Sequence, residues 1–264
     1  MDATPPAPPF DAVRHGLRFA FGTLTVLPPG RTPPRWDRDT ARVGMLCAPV
    51  AGFVIGLCAA GAGWGLSRLG FGVWLVAVGT VAVPAVLSRG LHLDGLADVA
   101  DGLGSGRPAE GALAVMKRSD IGPFGVVTLL FVLLAQVAAF AQLYGAGERY
   151  GLVAAVLCGL VSRTALTLGC RAGVPAARAD GLGAVVAGVV PRGGAYAVAG
   201  SVVALSTLVV WPLGGCAALL GLCAAEGLLA RCRRRLGGVT GDVLGALSET
   251  AGTAALLVAT LGAG

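Results

Sequence analysis

The sequence predicts an all-α, polytopic transmembrane helix bundle of about six to seven spans. Its N-terminus is expected in the cytoplasm, preceded into the bundle by a short interfacial or re-entrant helix. Three observations predict this fold class. Hydrophobic residues fill 55% of the 264 positions and charged residues only 13%, too few charges to cover the surface of a soluble domain. Uncharged runs long enough to cross a bilayer recur along the chain. Lys and Arg fall almost wholly in alternate connections, as the positive-inside rule requires. The 43 glycines sit inside Val/Leu/Ala runs, where small residues let membrane helices approach closely.

Taken in order, residues 1–42 read as a Pro- and Arg-rich cytoplasmic arm, with no charged-then-apolar start of the signal-peptide kind. Within it the amphipathic stretch 10–27 is too short and too close to prolines for a crossing, so it is expected at the interface. The bundle follows from 43 to 264, and no linker divides the chain into domains. Runs 43–67 and 69–88, parted by Arg68, give the first two spans. Runs 121–147 and 150–170 give the third and fourth, the latter interrupted by Arg163. The run 193–225 would be roughly 50 Å long as one helix, beyond a hydrocarbon core of about 30 Å. The segment WPLGG at 211–215 divides it into spans five and six. A seventh span runs from about 242 to the end.

With the N-terminus inside, seventeen of the 20 Lys and Arg lie on the cytoplasmic side, two (Arg68 and Arg149) outside, and Arg163 within a span. That asymmetry accounts for the net charge of +6, and with no aromatic-interleaved basic surface it removes nucleic acid as a partner. The seven cysteines form no C-x-x-C pair and read as small apolar fillers.

The chemistry concentrates in LHLDGLADVADG, residues 91–102. Asp94, Asp98 and Asp101 are spaced i, i+4, i+7, which places them within about 60° of one helical face. Three like charges on one face repel unless a cation offsets them. Hard carboxylate oxygens at this density suit Mg²⁺, which keeps waters and completes its shell with substrate phosphates. The alternative is an acidic helix neutralised by neighbouring arginines. His92 stands beside the trio, ready to orient a carboxylate or assist proton transfer. In VMKRSDIGPFG, residues 115–125, Lys117, Arg118 and Ser119 bring cations and a hydroxyl together before a Gly–Pro turn. This suits a phosphate, or else a plain positive-inside anchor. Arg163 inside its span requires an interior partner. In GGVTGDVLGALSET, residues 237–250, Thr240 and Asp242 precede Glu249, and the two acids, seven apart, share a face. All are expected to converge on one cavity at the cytoplasmic leaflet.

These stretches resemble the cobalamin synthase family, the adenosylcobinamide-GDP ribazoletransferases. The resemblance rests on HLDGLADxxDG, M-K/R-x-S-x-I-G-x-F-G (116–125) and G-G-x-T-G-D-x-L-G-A (237–246), in order and at the expected separations. Weaker echoes are T-x-L-P at 25–28, P-V-x-G at 49–52, Ser162–Arg163 and R-x-D-G-L-G at 178–183. Two departures stand out. The family's D-S-R is Arg118–Ser119–Asp120 here, and the arginine of its T-R-L-P is Val26.

The resemblance implies a multi-pass enzyme of the bacterial inner membrane, working at its cytoplasmic face. It would transfer the adenosylcobinamide-phosphate group from adenosylcobinamide-GDP to α-ribazole or its 5′-phosphate, with release of GMP. Asp94, Asp98 and Asp101 would then hold Mg²⁺, with Asp242 and Glu249 completing the shell or gripping a ribose. Lys117, Arg118 and Arg163, with Ser119 and Thr240 nearby, would bind phosphate, and an aspartate or His92 would take the hydroxyl proton. One rival is a CDP-alcohol phosphotransferase-like lipid synthase, whose longer aspartate pattern this chain only partly matches. The other is a small-solute transporter, for which no internal repeat is visible.

Overall fold

In the computed structural model, which describes residues 9–28, 30, 36–210 and 213–262, the chain is helical throughout and the described residues form no strand. Two short helices come first, α1 (Pro9–Leu24) and α2 (Arg38–Leu46). Asp37 caps α2 by accepting from the Thr40 amide at 2.8 Å. Then come α3 (Ala48–Arg68) and α4 (Val73–Leu87), followed by α5 (Leu91–Gly104) and the short α6 (Ala109–Val115). The hairpin α7 (Pro123–Ala146) and α8 (Glu148–Gly169) leads through the small α9 (Gly181–Val186) to α10 (Arg192–Val209), α11 (Leu213–Leu236) and α12 (Gly241–Ala259).

Six of these helices, α3, α7, α8, α10, α11 and the α12 segment, are long and apolar enough to cross a bilayer. The next helix, α4, is only 15 residues long, and after it the chain turns by 87° into α5; together the two are long and apolar enough for a broken seventh span or a re-entrant loop. Two consecutive left-handed residues make that turn, Arg89 (φ 55°) and Gly90 (φ 71°). The bend lays α5, which carries the aspartates and is not among the six helices that could cross alone, against α12 and α7.

Two boundaries differ from those expected. The first span starts at Ala48, not 43, because the chain breaks at Cys47 and Pro49 supplies the first turn of a new helix. The stretch expected at the interface is α1, and it packs on α2 and α3 with Phe19 and Ala20 fully buried. Phe19 meets Trp36 edge-on, ring centroids 5.4 Å apart. The break between α10 and α11 falls where WPLGG predicts it, although Trp211 and Pro212 lie outside the described residues, as do Arg31 and Arg35 of the arm.

The α12 segment is the central helix, packed against α5, α7, α8 and α11 and 61% buried against 22% for α10. Glycines set the closest packing. A β-carbon at Gly52 of α3 would lie 2.9 Å from the Gly159 carbonyl carbon of α8, so these two backbones touch.

Polar connections gather at one end. The loop after α8 is stitched to its neighbours by isolated bridges, Arg171 with Val190 and Ala176 with Val239. Arginines tie it further: Arg192 Nε donates to Ala172 O (2.9 Å) and Arg178 Nη2 to Leu113 O (2.7 Å). At the other end Arg68 meets Glu148 at 3.0 Å.

Candidate active site

The site is made by α5 lying on the start of α12. Contact is close because a glycine of each helix faces the other's backbone. A β-carbon at Gly95 would come within 2.6 Å of the Asp242 carbonyl oxygen, and one at Gly245 within 3.1 Å of the His92 α-carbon. Asp94 and Asp98 on α5 are thereby brought beside Asp242. A cavity of about 400 Å³ opens here, lined by His92, Asp94, Lys117, Arg178, Asp180 and Asp242 among others. Thr240 also lines it and caps α12, accepting from the Val243 amide at 3.1 Å and donating to Asp242 Oδ2 at 3.2 Å. Carboxylates and cations therefore line the same cavity. Lys117 pairs with Asp180 at 3.0 Å, and Arg178 approaches Asp242 at 3.7 Å.

Electrostatics mark the carboxylate wall. Burial, then the charges of Asp94, Asp242 and Asp101, push the Asp98 carboxyl up to about 7, with Arg178 opposing. Among the described residues neither Asp94 nor Asp98 has a hydrogen-bond or ion-pair partner. Such bare hard oxygens suit a divalent cation that draws the rest of its shell from water and phosphate. No three His, Cys, Asp or Glu side chains among the described residues are grouped closely enough to hold a metal ion by themselves.

Residues 16–260 match the cobalamin-5-phosphate synthase family. The chain is 43% identical to the adenosylcobinamide-GDP ribazoletransferase of Nocardioides sp., over 93% of this chain and 98% of that one. It is 41% identical to the proteins of that name from Frankia casuarinae (91% and 92% covered) and Chlorobaculum tepidum (93% and 95%). The chain belongs to the cobalamin-5-phosphate synthase family. No solved structure matches it.

Within this member of the cobalamin-5-phosphate synthase family the expected site residues separate into groups. His92, Asp94, Lys117, Thr240 and Asp242 line the cavity; Asp98 does not line it but lies near enough for the charges of Asp94 and Asp242 to act on it. Asp101 does not join the expected metal set, because α5 turns its carboxylate into the first turn of α7. There Oδ2 accepts the Gly122 amide (2.7 Å) and Oδ1 the Gly125 amide (2.9 Å), satisfying two donors a helix start leaves free.

Glu249 is likewise not with the aspartates. It lies two turns deeper along α12, where it accepts from Gln136 Nε2 at 3.1 Å and faces Arg163. Arg163 is 3% exposed and sits in this intramembrane polar centre; it does not line the cavity. Its Nη1 donates to Ser162 Oγ at 2.8 Å and its Nη2 lies 3.1 Å from His92 Nδ1. Burial, then the adjacent guanidinium, holds His92 well below its ordinary basicity. Arg118 and Ser119 are exposed and do not line the cavity; Arg118 is spent in a bidentate pair with Asp120 at 2.9 and 2.7 Å.

Two charged cavity residues were not among those expected, Arg178 and Asp180. Their signal was the R-x-D-G-L-G echo at 178–183, but a polar loop so far along the chain from both aspartate motifs gives no hint of contact. The bridge between Ala176 and Val239 helps bring that loop beside the start of α12.

Proposed function

We propose that this chain catalyses transfer of the adenosylcobinamide-phosphate group from adenosylcobinamide-GDP to α-ribazole or its 5′-phosphate, releasing GMP. The observation that carries the reading is the cavity lined by Asp94 and Asp242 together with Lys117 and Arg178, in a chain whose relatives bear that enzyme name. In the reaction the acceptor's hydroxyl oxygen bonds to the phosphorus that stays on cobinamide. The phosphoanhydride bond to GMP breaks, and the hydroxyl proton goes to a base. Phosphoryl chemistry of this kind needs positioning and charge neutralisation more than covalent help.

Lys117 and Arg178 neutralise the phosphate that departs with GMP. Asp98, held near neutrality in its carboxylate surroundings, takes the hydroxyl proton. Asp94 and Asp242, both on the cavity wall, would hold Mg²⁺, which when bound supplies positive charge to the pyrophosphate oxygens. Thr240, capping α12, keeps Asp242 in place. The Lys- and Arg-rich end would face the cytoplasm of a bacterial inner membrane.

The test is GMP release by detergent-purified protein given adenosylcobinamide-GDP, α-ribazole and Mg²⁺, with an EDTA control. Metal-dependent GMP with a cobalamin product is the expected result. A folded sample that yields no GMP with either acceptor would sink the reading, and CDP-alcohol substrates would be tried next.

A further inference from the structure

The polar centre buried behind the cavity has a consequence for which nitrogen of His92 can act. Arg163 carries donors only, with no acceptor at any pH the fold survives. Its Nη2 lies 3.1 Å from His92 Nδ1, so that nitrogen must offer its lone pair. A proton on Nδ1 would set donor against donor. The guanidinium is itself anchored. Its Nη1 donates to Ser162 Oγ, and across the small buried cavity stands Glu249, held by Gln136, whose Nε2 also bonds Thr253 Oγ1 at 2.8 Å. These contacts hold the guanidinium in place. The other ring nitrogen, Nε2, has no partner among the described residues and is not among the chain's sealed-off polar atoms, while His92 lines the catalytic cavity.

We propose that Arg163 is a positioning residue that fixes His92 in the form protonated at Nε2, and that His92 donates a hydrogen bond to a phosphate oxygen in the cavity instead of receiving the acceptor's proton. This deepens the transfer reading and rests on it for the identity of the phosphate. It also explains why an acid, an amide and an arginine are kept deep among apolar helices, where each is costly: they hold one donor in a fixed direction.

Two measurements test it. Histidine-selective ¹⁵N NMR of the full chain in lipid needs no turnover. The chain has two histidines, so the His92 signals are those lost in His92→Gln. Wild type should show a bare Nδ1 and a protonated Nε2, and Arg163→Met should show both tautomers. A protonated Nδ1 in wild type, or a spectrum unmoved by Arg163→Met, would overturn the assignment. The second measurement is GMP release by folded variants. The amide of Gln reaches the place of Nε2, whereas that of Asn reaches only Nδ1. His92→Gln should stay within about tenfold of wild type, while His92→Asn and His92→Ala fall by about 10²–10³-fold, the usual loss for one preorganised donor. A folded His92→Gln as inactive as His92→Ala contradicts the donor role. Should His92→Gln not fold, the signals are assigned with His15→Gln and the spectra of wild type and Arg163→Met decide. If wild type releases no GMP at all, the transfer reading fails on its own, and the NMR result still reports on the tautomer.

Discussion

Gly95 of α5 lies against Asp242 of α12 so closely that a β-carbon at Gly95 would stand 2.6 Å from the Asp242 carbonyl oxygen. Backbone on the far side of that contact cannot yield as a side-chain tip would. The contact is what sets Asp94 and Asp98 beside Asp242, so activity should be more sensitive to it than folding is. Gly95→Ala is expected to cost about 1–3 kcal/mol in stability by overpacking. It should also reduce GMP release far more than the loss of folded protein explains. Near-normal turnover in Gly95→Ala would show that α5 and α12 need no fixed separation.

Asp101 and Asp94 sit on the same helix yet should fail differently. Asp101→Asn keeps one acceptor oxygen for two amides of the α7 start, so its main effect should be on stability, about 1 kcal/mol or somewhat more. Asp94→Asn should leave the melting temperature nearly unchanged and abolish metal-dependent turnover. The check is thermal melting in detergent alongside activity per folded molecule. An Asp101→Asn protein of wild-type stability would remove the capping role.

The raised Asp98 carboxyl predicts a pH profile. As a base, Asp98 must be ionised, and it is protonated below its pKa of about 7. The rate should therefore fall as pH drops through that region, approaching tenfold per unit on the acid limb. A bound divalent cation favours the ionised form, so the midpoint with Mg²⁺ should lie at or below about 7. Asp98→Asn should lose both activity and the acid limb. A profile flat from about pH 5.5 to 8 would assign the proton elsewhere.

Arg178 joins three elements: it donates to the Leu113 carbonyl at 2.7 Å and approaches Asp242 at 3.7 Å while lining the cavity. Arg178→Lys keeps the charge but loses the planar fork that serves two partners at once. It should retain part of the activity with a raised KM, and Arg178→Met should lose about 10²-fold or more in kcat/KM. Equal kinetics for the two variants would show that charge at this position is irrelevant.

Orientation is checked by cysteine labelling in intact cells, on a chain with its seven cysteines replaced. Arg149→Cys, at the end opposite the cavity, should react with a membrane-impermeant thiol reagent from outside. Asp180→Cys, on the cavity rim, should react only after the membrane is opened. The reverse pattern would place the cavity outside the cell.

The bundle was legible in the sequence because an apolar run of bilayer length leaves the backbone little choice but a helix. Charge asymmetry then orders the ends, and the WPLGG break and the hairpin near Gly147 fall where composition puts them. The start of α3 was misplaced because Val43–Leu46 are as uncharged as the span that follows, and only Pro49 hints at a new helix. The site was half legible. Periodicity puts Asp94, Asp98 and Asp101 on one helical face, but a shared face does not mean a shared neighbour. The start of α7 reaches Asp101 and leaves Asp94 to the cavity.

What the sequence by itself determined was the kind of residue at each place: spans, a polar end, an acidic helix, and a family. Those follow from local composition and spacing, which every short stretch carries within itself. What the tertiary structure alone decided was partnership. Asp242 and Glu249 share a face of α12, yet two turns of helix send one to the cavity and the other to Arg163. Arg178 reaches the site through a loop whose route depends on bridges to distant residues. Such pairings arise from how closely whole helices can approach, which is set by glycines on both partners at once and written in neither segment alone.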